Sequence, residues 1–279
     1  MDKKMKQPEI SIVIPVYKPE KRVFERVKEM LKKQTIPSEI VETWDMPEAK
    51  SMNVGIRQAK GNIIITLPQD CVPENEFWLE KLIKPLKNKK NVGVVSDLHL
   101  PEEYWKGYDF LTRIFTISDR KDKKPGMDMR GTAFRKEDLI QIGLIDEDPK
   151  IIGIDGDVYT KLSIRGKFVR ANVRILHLHN QKNFKEVIKK VYTYSEGNGK
   201  FVKGGEMNLF NIWVRIMKAT PLFGAIFFIY GFPFKKYFYL FPIYLIIGIP
   251  LLHFVNVVGF WKGFFLDKES MRNLEVLKG

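Results

Sequence analysis

The sequence changes character near residue 219, and this change restricts the fold more than any other feature. Charged residues recur every few positions before that point, whereas two uncharged stretches follow it, Ala219–Phe234 and Tyr237–Trp261. A transmembrane helix needs about 20 apolar residues. The second stretch, with 25 residues, is long enough to span a bilayer, and the first, with 16, suits a segment that lies in the interface or re-enters.

Two prolines, Pro242 and Pro250, bear on the shape of the longer stretch. They could kink one helix or divide the stretch into a tight hairpin, because proline removes a backbone donor from the helix. Aromatic residues near the ends of both stretches are typical of membrane interfaces. We expect membrane-embedded helices over residues 219–265 and a polar tail over 266–279, with a buried pair of core helices as the alternative.

The segment before the apolar region, residues 183–218, predicts amphipathic helices. Asn183–Tyr194 carries apolar side chains at helical spacing, with lysines on the other side of the predicted helix. Met207–Lys218 predicts a second, apolar helix that also contains basic residues. We expect Glu196–Gly199 to interrupt the first helix, because it contains two glycines. Basic amphipathic helices that lead into an apolar span are typical of segments that lie at the membrane interface. Packing of these helices on the core of the N-terminal domain is an equally open alternative.

The chain is strongly basic, with 47 Lys+Arg against 33 Asp+Glu and a formal net charge of +14. Such an excess favours anionic partners, which include nucleic acids, lipid headgroups and phosphate-bearing substrates. Cys71 is the only cysteine, so neither an intrachain disulfide nor a cysteine-based zinc site can form. The polar N-terminus lacks the apolar core of a signal peptide. We therefore expect the N-terminal part of the chain to lie in the cytoplasm.

Residues 1–182 alternate β-branched runs with amphipathic helices, which predicts an α/β domain with a mostly parallel, Rossmann-like sheet covered by helices. The predicted strands are Ile10–Val16, Glu39–Thr43, Asn62–Leu67, Val92–Ser96 and Val173–Leu176. In such a sheet, ligands bind beyond the carboxyl ends of the strands. The candidate functional segments are therefore Pro15-Val-Tyr17, Trp44-Asp45, Pro68-Gln-Asp-Cys71, Asp155-Gly-Asp157 and His177-Leu-His179.

The acidic and imidazole side chains in these segments suit two kinds of chemistry. A strand-end carboxylate with a histidine can hold Mg²⁺ or Mn²⁺, and Asp70 with His179 or His177 could be that pair. A further carboxylate, Asp155 or Asp157, is then available as a general base. Simpler roles are also open. Asp70 could cap a helix, the paired aspartates could face a helix dipole, and the histidines could lie on a polar strand face.

The order of several motifs resembles the family 2 glycosyltransferases with the GT-A fold, over residues 9–218. The motifs are SIVIPVY at Ser11–Tyr17, AKSMNVGIRQAKG at Ala49–Gly61, NIIITLPQDCVP at Asn62–Pro73, GTAFRK at Gly131–Lys136 with IGLID at Ile142–Asp146, DGDVYTKLSIRG at Asp155–Gly166, and HLH at His177–His179. The segment Gln69–Leu82, QDCVPENEFWLEKL, is also similar to the QD-motif branch described as rhamnosyltransferases.

The resemblance implies roles for the matching acidic residues. Asp155 matches the catalytic base, although the glutamate that usually precedes it is Ile154 here. Asp70 matches the last carboxylate of the acidic DxD motif, although the first carboxylate of that motif is replaced by Pro68. The changed motif therefore offers one carboxylate for a metal instead of two.

The other matching residues concern the donor and the acceptor. The resemblance implies donor-binding roles for a set of strand-end residues: Pro15, Tyr17, Asp45, Gln69 and Asp70. Asp157 and Arg135 lie in motifs that suggest a place near the acceptor or a phosphate. The arginine that the family carries in the motif before the third strand corresponds to Met52 here.

Together these matches imply an inverting glycosyltransferase with its catalytic domain in residues 1–182, on the cytoplasmic face of a membrane. It would take a nucleotide-diphosphate sugar as donor, a lipid-linked or glycan acceptor, and a divalent cation, Mg²⁺ or Mn²⁺. The losses at Pro68, Ile154 and Met52 would also fit an inactive glycosyltransferase-like scaffold. A nucleic-acid-binding protein is disfavoured, because the densest aromatic residues lie in the uncharged tail rather than among basic ones.

Overall fold

The computed structural model describes residues 9–120, 128–147, 154–178, 183–204 and 209–266. The chain forms two compact units. The first, called the sheet unit, comprises Met1–Pro101, Lys124–Pro149 and Gly153–His179, and the second, called the helical unit, comprises Glu102–Lys123, Lys150–Ile152 and Asn180–Gly279. The segment Glu102–Lys123 therefore belongs to the helical unit, although it lies within the 1–182 catalytic domain expected from the sequence.

The strands are β1 Ile10–Val16, β2 Glu39–Trp44, β3 Ile63–Thr66, β4 Cys71–Pro73, β5 Asn91–His99, β6 Thr132–Arg135 and β7 Lys167–His177. The α-helices are α1 Lys21–Lys32, α2 Glu48–Gln58, α3 Trp78–Ile83, α4 Glu102–Lys106, α5 Phe110–Phe115, α6 Lys136–Gln141, α7 Ile154–Ser163, α8 Phe184–Gly204, α9 Leu209–Lys218, α10 Ala225–Tyr230, α11 Phe234–Tyr237, α12 Phe241–Ile243 and α13 Ile249–Leu266. Short 3-10 turns cover Lys84–Lys87, Ile117–Arg120 and Phe238–Leu240.

The strands form one sheet in the order β2-β1-β3-β6-β5-β7-β4. β1 pairs in parallel with β2 and β3, and β5 pairs in parallel with β7, whereas β6 and β4 run antiparallel to their neighbours. The predicted α/β class is confirmed, and each predicted strand is present. The sequence analysis does not predict the two antiparallel strands β4 and β6, and both of them position site residues.

The sheet is buried at its centre because β1 is a nearly continuous apolar run. Ile12, Val13 and Ile14 have no solvent exposure, which is typical of a strand covered on both faces. Helix α2 packs directly on β1, since a Cβ added to Gly55 would lie 2.3 Å from Cγ1 of Val13. Because α2 follows β2, its N-terminal residue Glu48 lies at the carboxyl end of the parallel strands.

In the helical unit, one predicted break is wrong. Helix α8 runs through Glu196–Gly199 without interruption. A Cβ on Gly199 would lie 2.0 Å from the carbonyl oxygen of Phe260 in α13, and a Cβ on Gly263 would lie 1.9 Å from that of Glu196. Glycine thus lets the two helix backbones touch, as in membrane helix pairs. This packing outweighs the low helix propensity of glycine.

The longer apolar stretch forms one long helix rather than a hairpin. Phe234–Phe265, with 32 residues, is the one helix of the described chain that is long and apolar enough to cross a bilayer. Pro242 and Pro250 each lie near the start of a helical segment, a position that tolerates proline. The π-helical turn Tyr244–Gly248 lies just before Pro250. In the shorter stretch, α10 has six residues, too few for a span.

Candidate active site

A cleft of about 600 Å³ lies at the carboxyl ends of β1, β2 and β3. Its walls include all five residues that the sequence analysis assigns to the donor. The lining residues are Pro15, Val16, Tyr17, Asp45, Met46, Pro47, Glu48, Pro68, Gln69 and Asp70. The topology brings them together, because the carboxyl ends of parallel strands share one edge of the sheet.

Two residues at this edge have a left-handed backbone. Lys18, two residues after β1, has φ 44°, and Asp45, directly after β2, has φ 55°. Non-glycine residues adopt this conformation rarely, and it costs free energy that the surrounding structure must offset. Such conformations often occur at functional sites. The turns that leave β1 and β2 therefore have the backbone character of a binding site.

Gln69 joins two of the turns by a pair of hydrogen bonds. The backbone N–H of Tyr17 donates to Oε1 of Gln69 at 2.8 Å, and Nε2 of Gln69 donates to the Tyr17 carbonyl at 2.8 Å. A carboxylate at position 69 could not make the second bond, because it has no hydrogen to donate. The glutamine holds the Tyr17 backbone in place while Tyr17 itself stays 57% exposed to solvent.

Asp70 and His177 lie side by side because β4 and β7 are antiparallel neighbours, with Cys71 opposite His177. Oδ2 of Asp70 lies 3.2 Å from Nε2 of His177, and the Asp70 carbonyl accepts a hydrogen bond from the N–H of Leu178 at 2.8 Å. The ligand atoms of Asp70, Cys71 and His177 all lie within 4.8 Å of one another.

This group has the donor chemistry for a divalent cation. Two ligands that each lie about 2.0–2.2 Å from one ion can be about 3 Å apart, which is close to the Asp70–His177 separation of 3.2 Å. Oxygen and imidazole donors suit Mg²⁺ and Mn²⁺. Burial raises the pKa of the Cys71 thiol well above its usual value, so this sulfur stays protonated. The other predicted ligand, His179, lies outside the described residues.

Two further residues, Asp128 and Arg130, lie next to Asp70 and His177. The sequence motifs identified neither of them. The guanidinium of Arg130 makes a two-pronged ion pair with Asp128, with Nε to Oδ1 at 2.7 Å and Nη2 to Oδ2 at 2.5 Å. Its Nη1 lies 3.4 Å from Nδ1 of His177. Gly131 follows with φ 72° and turns the chain into β6, a conformation that favours glycine.

Asp155, the predicted base, lies half-buried in the first turn of α7. The N–H of Met129 donates to its Oδ1 at 2.8 Å. Desolvation and the negative charge of Asp128 raise the pKa of Asp155 to about 6, and the Met129 hydrogen bond and the charge of Arg130 oppose that rise only in part. A carboxyl group with this pKa is ionised at neutral pH and basic enough to take a proton.

Glu48 is a further acidic residue of the cleft that the motifs did not identify. Desolvation raises its pKa, and the charges of Asp70 and Asp128 add to that effect, whereas Arg130 lowers it. These couplings place Glu48, Asp70 and Asp128 in one electrostatic group with Asp155 and Arg130. Asp70 and Asp155, far apart in the sequence, are thus connected through Glu48, which interacts electrostatically with both.

The structure does not bring Asp157 and Arg135 into this cluster. The buried carboxylate of Asp157 accepts hydrogen bonds from the N–H of Asp146 at 2.9 Å and from Nζ of Lys161 at 2.8 Å. Arg135 pairs with Ile63 at the opposite end of β3. Its guanidinium donates to the carbonyls of residues 86, 88 and 91 and to the carboxylate of residue 138. Both side chains therefore stabilise the fold locally.

A comparison with protein families decides the general activity. Residues 40–143 match the model of Glycosyl transferase family 2. The chain is a glycosyltransferase. The matched segment contains Asp45, Gln69, Asp70 and the Asp128–Arg130 pair, so it covers most of the cleft that the structure shows. No curated protein sequence matches the glycosyltransferase significantly.

Solved structures resemble this glycosyltransferase in fold. The mannosyltransferase PcManGT from Pyrobaculum calidifontis, in complex with GDP-Man and Mn²⁺, has a TM-score of 0.58 and 14% identity, over 95% of this chain and 89% of that chain. The catalytic domain of Drosophila beta1,4galactosyltransferase 7, in complex with xylobiose, has a TM-score of 0.44 and 14% identity, over 62% and 71%. S. aureus TarS 1-349, in complex with UDP-GlcNAc, has a TM-score of 0.44 and 14% identity, over 95% and 92%. The expected GT-A fold is confirmed by the first likeness.

Proposed function

We propose that this glycosyltransferase moves one sugar from a nucleotide-diphosphate sugar to an acceptor hydroxyl with inversion at the anomeric carbon. One observation carries the proposal. A carboxyl group with its pKa raised to about 6, Asp155, shares an electrostatic cluster with the strand-end residue Asp70 and the cleft residue Glu48. A base and a donor-binding edge in one cleft are the two elements that a direct displacement needs.

In the proposed step, the acceptor oxygen attacks the anomeric carbon of the donor while its proton passes to Asp155. Oδ2 is the oxygen that takes the proton, because Oδ1 already accepts the N–H of Met129. The bond between the anomeric carbon and the diphosphate oxygen breaks, and its electron pair leaves with the nucleoside diphosphate. Attack from the side opposite the leaving group inverts the anomeric configuration.

Asp70 and His177 would hold a divalent cation, Mg²⁺ or Mn²⁺, and His179 is a third candidate ligand. When bound, such an ion neutralises negative charge on the departing diphosphate. The 3.2 Å separation of the two donor atoms supports this assignment. The Mn²⁺ in the structure of the mannosyltransferase PcManGT, which has a similar fold, is consistent with it.

The donor nucleotide would lie along the turns that contain Pro15, Tyr17, Asp45 and Gln69. The exposed ring of Tyr17 offers a face on which a nucleobase can stack. Gln69 fixes the backbone of that turn through its two hydrogen bonds. The QD motif at Gln69-Asp70 favours a donor sugar of the rhamnose type, which is the finer part of the proposal.

The acceptor would be a lipid-linked sugar or glycan at a membrane surface, with the catalytic unit on the cytoplasmic face. The apolar helix Phe234–Phe265 would anchor the chain. Helix α9 supports an interfacial position, because none of its residues is buried and Trp213 is 64% exposed. The net charge of +14 suits an anionic membrane and a phosphate-bearing acceptor.

The proposal is tested by a donor panel followed by analysis of the product. A thermal-shift screen of UDP-, GDP- and dTDP-sugars with and without Mn²⁺ should find one nucleotide class that raises the Tm, since a ligand that binds the native state stabilises it. NMR of the product formed from that donor should show the inverted anomeric configuration, and a chelator should slow transfer. A retained configuration contradicts the mechanism, and donor binding without transfer to any lipid-linked or glycan acceptor supports an inactive scaffold instead.

A further inference from the structure

Arg130 occupies the centre of the active-site cluster, and the family motifs give it no role. It lies just before β6, whose first residue Thr132 pairs with Thr66, the last residue of β3. Because β6 runs antiparallel to β3, the residues before β6 reach the same edge as the residues after β3. This geometry brings Arg130 to the edge where the donor cleft lies.

The orientation of the Arg130 side chain is fixed. Its two bonds to Asp128, at 2.7 and 2.5 Å, form a bidentate pair that holds the plane of the guanidinium. The third nitrogen, Nη1, lies 3.4 Å from Nδ1 of His177, which is long for a hydrogen bond. Asp128 has 16% of its side chain exposed, whereas Arg130 has 34%. The guanidinium is thus anchored on one edge and accessible on another.

Most of the charged side chains around Arg130 are carboxylates, so the site is short of positive charge. Glu48, Asp128 and Asp155 each interact electrostatically with this guanidinium, and Asp70 interacts with Glu48. Desolvation raises the pKa of Asp155 and of Glu48, and neighbouring carboxylates raise them further, so the cluster has an excess of negative charge. A diphosphate is itself anionic, so it can bind beside such a cluster only where a positive charge faces it.

We propose that Arg130 is a binding residue for the diphosphate of the donor and that Asp128 positions it. The proposal rests on the function proposed above, because it assigns a ligand within the same cleft. A guanidinium fork binds phosphate oxygens in two places at once, which a lysine cannot do. Arg130 then carries part of the charge neutralisation when the diphosphate leaves. The site accordingly keeps part of its affinity for a diphosphate after divalent cations are removed.

The binding test uses calorimetric titration of the full chain with UDP, GDP and dTDP, in Mn²⁺ and in excess chelator. R130Q should weaken binding of the preferred nucleotide by about 10- to 100-fold in both conditions, the range expected for charge-assisted hydrogen bonds. R130K, which keeps the charge without the fork, should lie between R130Q and wild type. R165Q, which changes an exposed arginine of the same unit, should bind like wild type.

The outcomes separate this proposal from the general function. If wild type binds a nucleoside diphosphate and R130Q binds it equally well, Arg130 is not a ligand, although the glycosyltransferase mechanism can stand. If R130Q changes only the KM for a phosphate-bearing acceptor, the arginine serves the acceptor and the donor assignment is wrong. If wild type binds none of the nucleotides, both the proposed function and this inference fail.

A pH profile distinguishes a direct electrostatic role from a structural one. R130Q removes the positive charge that lowers the pKa of Asp155, so the acid limb of kcat/KM should move to higher pH. D128N removes a negative charge that raises that pKa, so its acid limb should move to lower pH. A structural defect would reduce the rate without opposite shifts. Shifts in the same direction in both variants, or no shift, would overturn the proposal.

Discussion

The two units of the molecule are stabilised in different ways. In the sheet unit, buried polar side chains join elements that are distant in sequence, as when Asn53 donates to the Ile145 carbonyl at 2.8 Å and accepts its N–H at 3.0 Å. In the helical unit, glycines bring the backbones of α8 and α13 into contact. The sheet unit thus depends on specific polar pairs and the helical unit on close approach of helices.

Three polar side chains of the helical unit contact backbone carbonyls of the same unit. His253, Asn256 and Trp261 of α13 each lie 2.9 Å from a backbone carbonyl at or after the end of α9, those of residues 221, 218 and 219 respectively. Carbonyls at a helix C-terminus lack partners within their own helix. Partners from a neighbouring helix suit a setting without water, where unsatisfied backbone groups cost several kcal/mol. In the sheet unit, charged residues such as Asp45, Glu48 and Asp70 instead line a cleft.

The largest expected effect concerns the chemistry of the sheet unit. Asp155→Asn removes the proposed base but keeps an oxygen that can accept the N–H of Met129. Transfer should fall by roughly 10²- to 10⁴-fold, the usual contribution of a general base, while binding of the nucleotide donor stays within about threefold by calorimetry. A variant that retains the wild-type rate would remove Asp155 from the mechanism, and simultaneous loss of donor binding would assign it a different role.

The second prediction concerns a substitution that destabilises the helical unit. Gly263→Ala places a methyl group 1.9 Å from the carbonyl oxygen of Glu196, so α8 and α13 must move apart. We expect a loss of about 1–3 kcal/mol in the free energy of unfolding, as for other overpacked contacts, measured by denaturation in detergent. Gly231→Ala is the matched control, because its added methyl would meet its nearest neighbour at 3.4 Å. Equal stability of the two variants would contradict the close helix contact.

A smaller effect is expected at Gln69, whose hydrogen bonds to Tyr17 form a polar pair at the cleft. Gln69→Glu loses the donor to the Tyr17 carbonyl and sets a carboxylate against it. Donor affinity should fall by roughly threefold to tenfold, the value of one hydrogen bond, whereas Gln141→Glu on the exposed face of α6 should have no effect. Tighter, metal-dependent donor binding by Gln69→Glu would show that position 69 serves the cation rather than the turn.

Much of the cleft could be predicted because its residues follow parallel strands. Tyr17, Asp45 and Asp70 each come after a β-branched run, and the carboxyl ends of such runs meet at one edge. The motif at Asp155 placed a carboxylate at the start of α7, where the structure has it. Local pattern and strand direction were sufficient for these positions.

Two of the missed residues, Asp128 and Arg130, were missed because β6 runs in the reversed direction. Because β6 is antiparallel to β3, its amino end with Asp128 and Arg130 lies at the cleft. The same reversal carries Arg135, at the other end of β6, to the opposite edge of the sheet. The four-residue strand has no alternation long enough to show its direction, so the sequence pattern could not decide between the two edges.

The predicted break in α8 failed for a different reason. Propensity is a local quantity, and the glycines at 197 and 199 lower it. The contact that holds this part of α8 helical comes from Gly259 and Gly263, more than 50 residues later in the chain. A single sequence does not show which helix will pack against a glycine, so a helix break and a helix crossing look alike.

The most direct test of the central claim is the pH dependence of kcat/KM between about pH 4.5 and 8. Asp155 must be ionised to accept the proton of the acceptor, and its pKa is raised to about 6. The rate should therefore be constant at neutral pH and fall towards tenfold per unit of pH below about 6. The residual activity of Asp155→Asn should lack this limb. A wild-type profile that is flat through pH 6, or an identical acid limb in Asp155→Asn, would contradict the assignment of Asp155 as the base.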